Sequence, residues 1–166
     1  GGNKKVPFQE TDNVDHPVSL YAATKKSNEL IAHSYSHLFK IPSSGLRFFT
    51  VYGPWGRPDM ALFLFTKAML KGEKIDVYNN GNMIRDFTYV DDVAISIIKI
   101  LEKPPAKKEN FDKSSMSPET SWAPHQIFYV GNSNPIILMD FLKVLEENLS
   151  IIAKINFLPM QSGDVP

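Results

Sequence analysis

The sequence contains no cysteine, which excludes disulfides, thiolate metal ligands and cysteine nucleophiles. It also has no excess of either charge, because 18 basic residues balance 18 acidic ones. A net charge of zero argues against a broad electrostatic contact with nucleic acid or anionic lipid. The longest apolar run, residues 60–65, is far shorter than the roughly 18 residues of a membrane span. We therefore expect a soluble, cytoplasmic protein with no nucleic-acid partner and no membrane partner.

Several recognisable ligand-binding patterns are missing as well. The sequence has no GxGxxG, no P-loop and no nucleophile-elbow serine. His33 and His37 are four residues apart, but neither a carboxylate nor a third histidine joins them in an HExxH pattern, so we expect no metal site. Arginine is scarce: there are three, Arg47, Arg57 and Arg85, against fifteen lysines. An anionic ligand would have to be bound by a few fixed cations.

The remaining sequence is typical of a globular α/β protein, with 43% hydrophobic and 22% charged residues over 166 positions. Apolar periodicity predicts helices over 19–39, 60–70, 90–101 and 139–149. Extended segments are predicted over 45–51, 75–78, 84–90, 126–130 and 153–158, with the second and third forming a hairpin-like pair. Residues 103–124 carry four prolines and no apolar period, which indicates a long loop. The alternation of helices and strands predicts the α/β class.

The most informative spacing is that of Tyr21 and Lys25, near the start of the first predicted helix. Residues four apart lie on one helical face, so the phenol and the ammonium are expected to be neighbours. A tyrosine ordinarily loses its proton near pH 10, and a cation one turn away favours the phenolate form that a general base needs. The alternative is a solvated tyrosine beside a surface lysine.

Two arginines stand in segments that suit anion binding. Arg57 lies in a loop with two glycines and two prolines, just after the strand predicted to end near Thr50, and ligands of open α/β sheets bind beyond strand ends. Arg85 lies in an extended segment between apolar neighbours. A guanidinium binds carboxylate or phosphate with two hydrogen bonds. The alternatives are a surface arginine at position 57 and an ion pair of Arg85 with Asp86 or Asp92.

Several motifs, in this order along the chain, resemble the nucleotide-sugar epimerases of the extended short-chain dehydrogenase/reductase family, and within it the subfamily that acts on C4 of UDP-glucuronate. The motifs are YAATK (21–25), LRFFTVYGP (46–54), RPDM (57–60), RDFTYVDDV (85–93), SWAPH (121–125), YVGNS (129–133), LMDF (138–141) and LPMQSGDV (158–165).

This resemblance implies a hydride shuttle on bound NAD that inverts C4 of a UDP-hexuronate through a 4-keto intermediate. Tyr21 would be the base and acid, and Lys25 would hold the nicotinamide ribose beside it, so both are expected to be catalytic and cofactor-binding. Thr50 and Arg57 would select the sugar carboxylate and Arg85 would bind the diphosphate, with Val77 and Tyr78 near the nucleoside. The substrate would be a UDP-sugar.

The resemblance also implies an incomplete Rossmann-like sheet with a smaller substrate-binding portion. Residues 1–56 and 90–135 would belong to the Rossmann-like domain, and 57–89 and 136–166 to the substrate-binding portion. The N-terminal dinucleotide-binding half of the family is absent here, so we expect a fragment of a homodimeric parent, itself inactive and poor at binding NAD. The alternatives are a nucleotide-sugar 4,6-dehydratase and a non-catalytic module that binds nucleotide sugars.

Overall fold

The computed structural model describes residues 2–3, 5–114 and 116–163. Within these ranges the chain forms four α-helices, α1 (Leu20–Phe39), α2 (Ala61–Lys71), α3 (Val90–Leu101) and α4 (Leu138–Leu149). The same ranges contain seven strands: β1 (Ser43–Phe48), β2 (Thr50–Tyr52), β3 (Lys74–Val77), β4 (Ile84–Tyr89), β5 (His125–Val130), β6 (Pro135–Ile137) and β7 (Lys154–Phe157). No helix in the described part of the chain combines the length and the apolar character needed to cross a bilayer.

The chain divides into two compact units. The first comprises Gly1–Phe48 and Asp91–Val130, and the second comprises Phe49–Val90 and Gly131–Pro166. In the first unit β1 and β5 pair in parallel, with Ser43 opposite His125 and Phe48 opposite Val130. Parallel neighbours need a crossover connection, and helical crossovers are typical of α/β proteins.

The second unit contains two small sheets. β4 lies between β2, its parallel partner, and β6, its antiparallel partner. β3 pairs in parallel with β7. The hydrophobic core of the second unit is formed by apolar side chains of α2, β3 and α4. These side chains are three or four residues apart on the helices and two apart on the strand: Phe65, Met69, Ile75, Val77, Leu142 and Leu145.

Helix ends follow local chemistry. α1 begins after Ser19, whose Oγ accepts the backbone N–H of Ala22 at 3.2 Å, and it ends at Lys40 in the left-handed conformation. α2 ends at Gly72, whose N–H is bonded to carbonyls of the last turn. The predicted helices are confirmed to within one residue at each end. The predicted loop is also confirmed, because the described residues between α3 and β5 form no helix and no strand.

The single strand predicted over 45–51 is wrong. The structure has two strands that pair with different partners, β1 with β5 and β2 with β4, and Phe49 between them belongs to neither ladder. No proline or glycine marks this point, so the sequence carries no turn signal there. The break coincides with a packing site, because the Phe49 ring occupies the place where a Cβ on Gly131 would lie.

The hairpin-like pair of 75–78 and 84–90 is also wrong, since β3 and β4 do not pair. Residues Tyr78–Gly81 form a 3₁₀ turn in which Asn79 and Asn80 both have φ near 51°. Asn80 N–H donates to the Leu158 carbonyl at 3.0 Å, and Leu158 N–H donates to Val77 at 2.9 Å. These bonds tie the turn to β7 instead of returning the chain along β3. The fold is nevertheless α/β with partial parallel sheets, as predicted.

Candidate functional site

Tyr21 and Lys25 lie in the first two turns of α1, on one side of the helix. The Tyr21 side chain is 70% exposed, and Lys25 Nζ lies 5.3 Å from the centre of its ring. Lys25 forms no ion pair within the described residues, so its ammonium is not neutralised by a carboxylate there. The structure thus brings together the phenol and the cation that the sequence predicted to be neighbours.

A charged network anchors the middle of α1 to β1 and β5. Arg47 Nε donates to Glu29 Oε1 at 2.7 Å and Nη2 donates to Oε2 at 2.9 Å, while Nη1 donates to the Tyr129 hydroxyl at 3.1 Å. Lys26 bridges Glu29 and Asp15, at 3.6 and 3.2 Å. Burial alone would raise the pKa of Glu29, but the hydrogen bonds and charge of Arg47, with those of Lys26, outweigh it and lower that pKa. The network fixes the helix that carries Tyr21.

A second cluster ties α1 to the segment before β5. Ser121 Oγ accepts the Ala123 N–H at 2.9 Å and forms a hydrogen bond with His33 Nε2 at 2.7 Å, in which the His33 tautomer decides the donor. The Trp122 indole N–H donates to His37 Nδ1 at 3.0 Å. His125 packs edge-on to His33, with ring centres 5.4 Å apart. Burial lowers the pKa of both His33 and His125, and a neighbouring histidine lowers each further.

The second unit contains an open groove of about 380 Å³ beyond the end of β2. Thr50, Tyr52, Trp55 and Arg57 are among its lining residues. Arg57 donates from Nε and Nη2 to the two carboxylate oxygens of Asp59, at 3.0 and 2.8 Å, and these bonds lower the pKa of Asp59. Both side chains remain exposed. A guanidinium oriented by one carboxylate at the mouth of a groove can bind a second anion.

The other three predicted substrate residues also belong to the second unit. Val77 is fully buried at the end of β3, so its side chain is part of the core and only its backbone can face a ligand. Tyr78 begins the 3₁₀ turn and is half-buried. Arg85 lies in β4, where Nη1 donates to the Ile84 carbonyl at 2.8 Å. The neighbouring Asp86 instead accepts three backbone N–H groups of residues 132–134.

The described residues contain no candidate metal site, because no three histidine, aspartate or glutamate side chains among them are placed to share an ion. His33 and His37 instead contact Ser121 and Trp122. The Arg47 and Glu29 pair and the turn held by Asp86 were not predicted from the sequence. Arg47 carried a signal, because an arginine inside an apolar strand needs a partner, but its partner is distant in sequence.

Comparison with known proteins places these residues in a family. Residues 1–112 match the NAD dependent epimerase/dehydratase family. Protein CapI of Staphylococcus aureus is 54% identical over the whole of this chain and 50% of its own length. A probable UDP-glucuronate 4-epimerase of Rhizobium meliloti is 49% identical over the whole chain and 49% of its own length. The chain therefore spans about half the length of these relatives.

A solved structure agrees with the sequence relatives. The UDP-glucuronic acid 4-epimerase of Bacillus cereus, in complex with UDP-glucuronic acid and NAD, superposes with a TM-score of 0.79 at 31% identity. The match covers 98% of this chain and 46% of that protein. The family match extends over more than half of the chain and includes α1 with Tyr21 and Lys25, the groove loop and β4. This chain belongs to the NAD dependent epimerase/dehydratase family.

Proposed function

We propose that a protein of the relatives' length containing this chain inverts C4 of a UDP-hexuronate through a 4-keto intermediate, with NAD as cofactor. The observation that carries the proposal is the exposed Tyr21 phenol beside the Lys25 ammonium in a chain of this family. The relative named a probable UDP-glucuronate 4-epimerase and the Bacillus cereus structure with UDP-glucuronic acid and NAD support the choice of substrate.

The residues present fit one end of the cofactor. A lysine without an ion pair in the described chain and an adjacent exposed phenol are donors suited to the hydroxyls of a ribose. NAD, when bound, takes up the hydride of the sugar carbon and returns it. The sequence has no glycine-rich turn for the pyrophosphate. We therefore propose that the isolated 166-residue chain is inactive and binds NAD too weakly to detect.

The chemical role of this chain is proton transfer at the C4 oxygen. Tyr21 removes the hydroxyl proton as the C4 hydrogen leaves with its electron pair, which gives a ketone, and returns the proton after reduction on the opposite face. Lys25 stabilises the phenolate between these steps. No net oxidation occurs, so a single pair of side chains can serve both half-reactions. The network of Arg47, Glu29 and Tyr129 holds the helix that presents them.

The second unit supplies substrate-binding groups in this proposal. Thr50 and Arg57 bind the sugar carboxylate in the groove, and Arg85 binds the diphosphate. Val77, through its backbone, and Tyr78 contact the nucleoside. Because the chain has no net charge, these fixed cations provide the local positive potential that a trianionic substrate needs.

The reaction is tested by incubating the full-length protein with UDP-glucuronate and NAD and identifying the product by NMR and mass spectrometry. We expect UDP-galacturonate, which has the mass of the substrate. A parallel incubation with UDP-glucose, which carries the C6 hydroxyl that dehydration removes, would give a product lighter by one water if the protein were a 4,6-dehydratase, the alternative that the family also includes. Unchanged UDP-glucuronate that nevertheless binds would favour a non-catalytic module.

Arg57 provides the matched test of substrate choice. Arg57→Ala is expected to lower kcat/KM for UDP-glucuronate about 10- to 100-fold, the effect of losing a charge-assisted pair. UDP-glucose, which has no carboxylate, should be affected much less. Lys67→Ala, which removes an exposed cation of α2, is the control. Equal losses with both sugars would show that Arg57 has a structural role instead.

A further inference from the structure

Trp55 occupies a backbone position that tryptophan rarely adopts. Residues 53–56 form a tight turn closed by the Gly56 N–H to the Gly53 carbonyl, at 3.2 Å. Pro54 takes its second position and Trp55 its third, with φ of 63°. A turn of this type needs a positive φ at the third position, where glycine or asparagine is usual. A bulky residue there strains the backbone, and such strain concentrates at functional sites.

Burial of the Trp55 side chain among the described residues does not compensate for the strain. The Trp55 side chain is 103% exposed, so its indole gains no burial from the described residues. The turn itself is held firmly on both sides. A Cβ on Gly53 would lie 2.7 Å from the Val90 side chain, and one on Gly56 would lie 2.8 Å from the Phe63 ring. Two closely packed glycines, Gly53 and Gly56, therefore fix a turn that presents a large aromatic ring to solvent.

The ring is presented at the groove already described. Trp55 lines it together with Thr50 and Arg57, and the Arg57 guanidinium is oriented by both oxygens of Asp59. The groove thus combines a flat apolar surface with an oriented cation two residues away. A hexuronate has matching groups, a carboxylate and a ring face made of C–H bonds. Aromatic side chains gain by covering apolar surface of this kind.

We propose that Trp55 is a substrate-contact residue whose indole covers the pyranose ring of the hexuronate while Arg57 binds its carboxylate. This inference rests on the proposed function and adds a residue to it. Contact with the sugar buries the indole, which is exposed in the folded chain. The strained turn then has a purpose, which is to hold the indole at the groove before the sugar arrives.

The test uses the fluorescence of Trp55 in the full-length protein with NAD. This chain has two tryptophans, Trp55 and Trp122. Trp122→Phe, with any tryptophan outside this chain also replaced by phenylalanine, leaves Trp55 as the reporter. Acrylamide quenching is measured with UDP-glucuronate and with UDP alone. We expect the quenching constant to fall about threefold with UDP-glucuronate and to change little with UDP, which lacks the sugar.

Two substitutions separate contact from folding. Trp55→Gly removes the ring and suits a φ of 63°, so we expect KM for UDP-glucuronate to rise about tenfold while the melting temperature stays the same or rises. Trp55→Tyr keeps an aromatic face and should recover most of the lost affinity. These KM and melting measurements do not need the Trp122 background.

Other outcomes would overturn the inference. If UDP-glucuronate is bound and turned over while Trp55 stays equally accessible and Trp55→Gly leaves KM unchanged, the inference fails and the proposed function stands. A lower melting temperature with unchanged KM would mean that the ring supports the fold. Loss of quenching with protein concentration alone would mean that a second copy covers the indole. If the wild-type protein neither binds nor converts UDP-glucuronate, the proposed function fails too.

Discussion

Arg47 is the residue through which three elements of the first unit are joined. Its guanidinium bonds both carboxylate oxygens of Glu29 on α1 and the hydroxyl of Tyr129 on β5. Its side chain is only 13% exposed and that of Glu29 only 19%. Such a pair is favourable only while both partners remain, because either charge alone would be left partly buried. Because Arg47 lies among apolar residues of β1, its charge needs a carboxylate partner.

Removal of one partner should therefore be more damaging than loss of a surface ion pair. Arg47→Met is expected to lower the free energy of unfolding by about 3 kcal/mol, the lower end of the range for enclosed pairs. Because the pKa of Glu29 is lowered in the folded chain, the stabilisation is complete above its ordinary value of 4.5 and is lost as the pH falls below it. Urea denaturation at pH 7 and pH 4 measures both effects. Equal free energies of unfolding for Arg47→Met and the unsubstituted protein at pH 7 would contradict both expectations.

His125 is expected to make the first unit sensitive to mild acid. Its side chain is 4% exposed and its Nδ1 has no hydrogen-bond partner in the described structure. Burial and the nearby His33 lower the pKa of His125 below 6.5, and burial and His37 lower that of His33. The unfolded chain then binds protons first. Stability is complete above pH 6.5 and decreases as the pH falls below it.

His125→Phe removes one of these two titrations without opening a cavity. We expect the melting temperature of the variant to fall less than that of the unsubstituted protein between pH 7.5 and pH 5.5. At pH 5.5 the variant should be at least as stable as the unsubstituted protein. Differential scanning calorimetry at the two pH values measures this. Parallel decreases in parent and variant would show that other groups control the acid response.

At the scale of elements, the connection between β5 and β6 is organised by one carboxylate and one glycine. Asp86 on β4 accepts the backbone N–H groups of Asn132, Ser133 and Asn134, at 2.9, 3.1 and 3.3 Å. A Cβ on Gly131 would meet the Phe49 ring at 2.6 Å and Asp86 Oδ2 at 2.7 Å. Together these contacts place the short strand β6 against β4.

Asp86→Ala should release this connection. Each hydrogen bond to a charged group contributes about 1.5–3 kcal/mol, so we expect a loss of at least about 2 kcal/mol in the free energy of unfolding. Urea denaturation of Asp86→Ala, with the exposed carboxylate variant Glu147→Ala as control, gives the comparison. Indistinguishable midpoints would mean that the turn is held by other contacts.

Elements with a strong period were predictable and the connections between strands were not. The i, i+3, i+4 pattern from Val90 to Leu101 gave α3 its observed bounds. β6 was missed because three residues beginning at a proline show no alternation. The division at Phe49 was missed because the packing contact that accompanies it is with Gly131, more than 80 residues away in sequence. Partners of that kind are set by tertiary contacts that local propensity does not contain.

The same distinction applies to the candidate site. The Tyr21 and Lys25 spacing is local, so one helical turn was enough to predict their proximity. The glycines and prolines around Arg57 were enough to predict a loop there. The pairing of Arg57 with Asp59 and the positive φ of Trp55 are not evident from the sequence and are seen only in the structure. The burial of Val77 follows from the period of β3 packed under α2 and α4.

At the scale of the whole molecule, the chain spans about half the length of its relatives. The relatives extend well beyond the region they share with this chain. α1 exposes many apolar side chains in the described structure, among them Leu30, Ile31, Tyr35 and Leu38. Such a surface suits both the remainder of a longer chain and a second subunit, and the homodimer stays a prediction for sedimentation analysis of the full-length protein.

Replacement of Tyr21 by phenylalanine asks most directly whether this helix performs the proton transfer. In the full-length protein with NAD, we expect Tyr21→Phe to lower the rate of UDP-glucuronate epimerisation at least about 10³-fold, since general acid–base groups contribute roughly 10²–10⁴-fold. The dissociation constant for UDP-glucuronate, measured by calorimetry, should stay within about threefold of the value for the unsubstituted protein, because the contacts proposed for the sugar carboxylate and the diphosphate do not include Tyr21. Turnover that survives the substitution, or a loss of binding as large as the loss of rate, would contradict the role assigned to Tyr21.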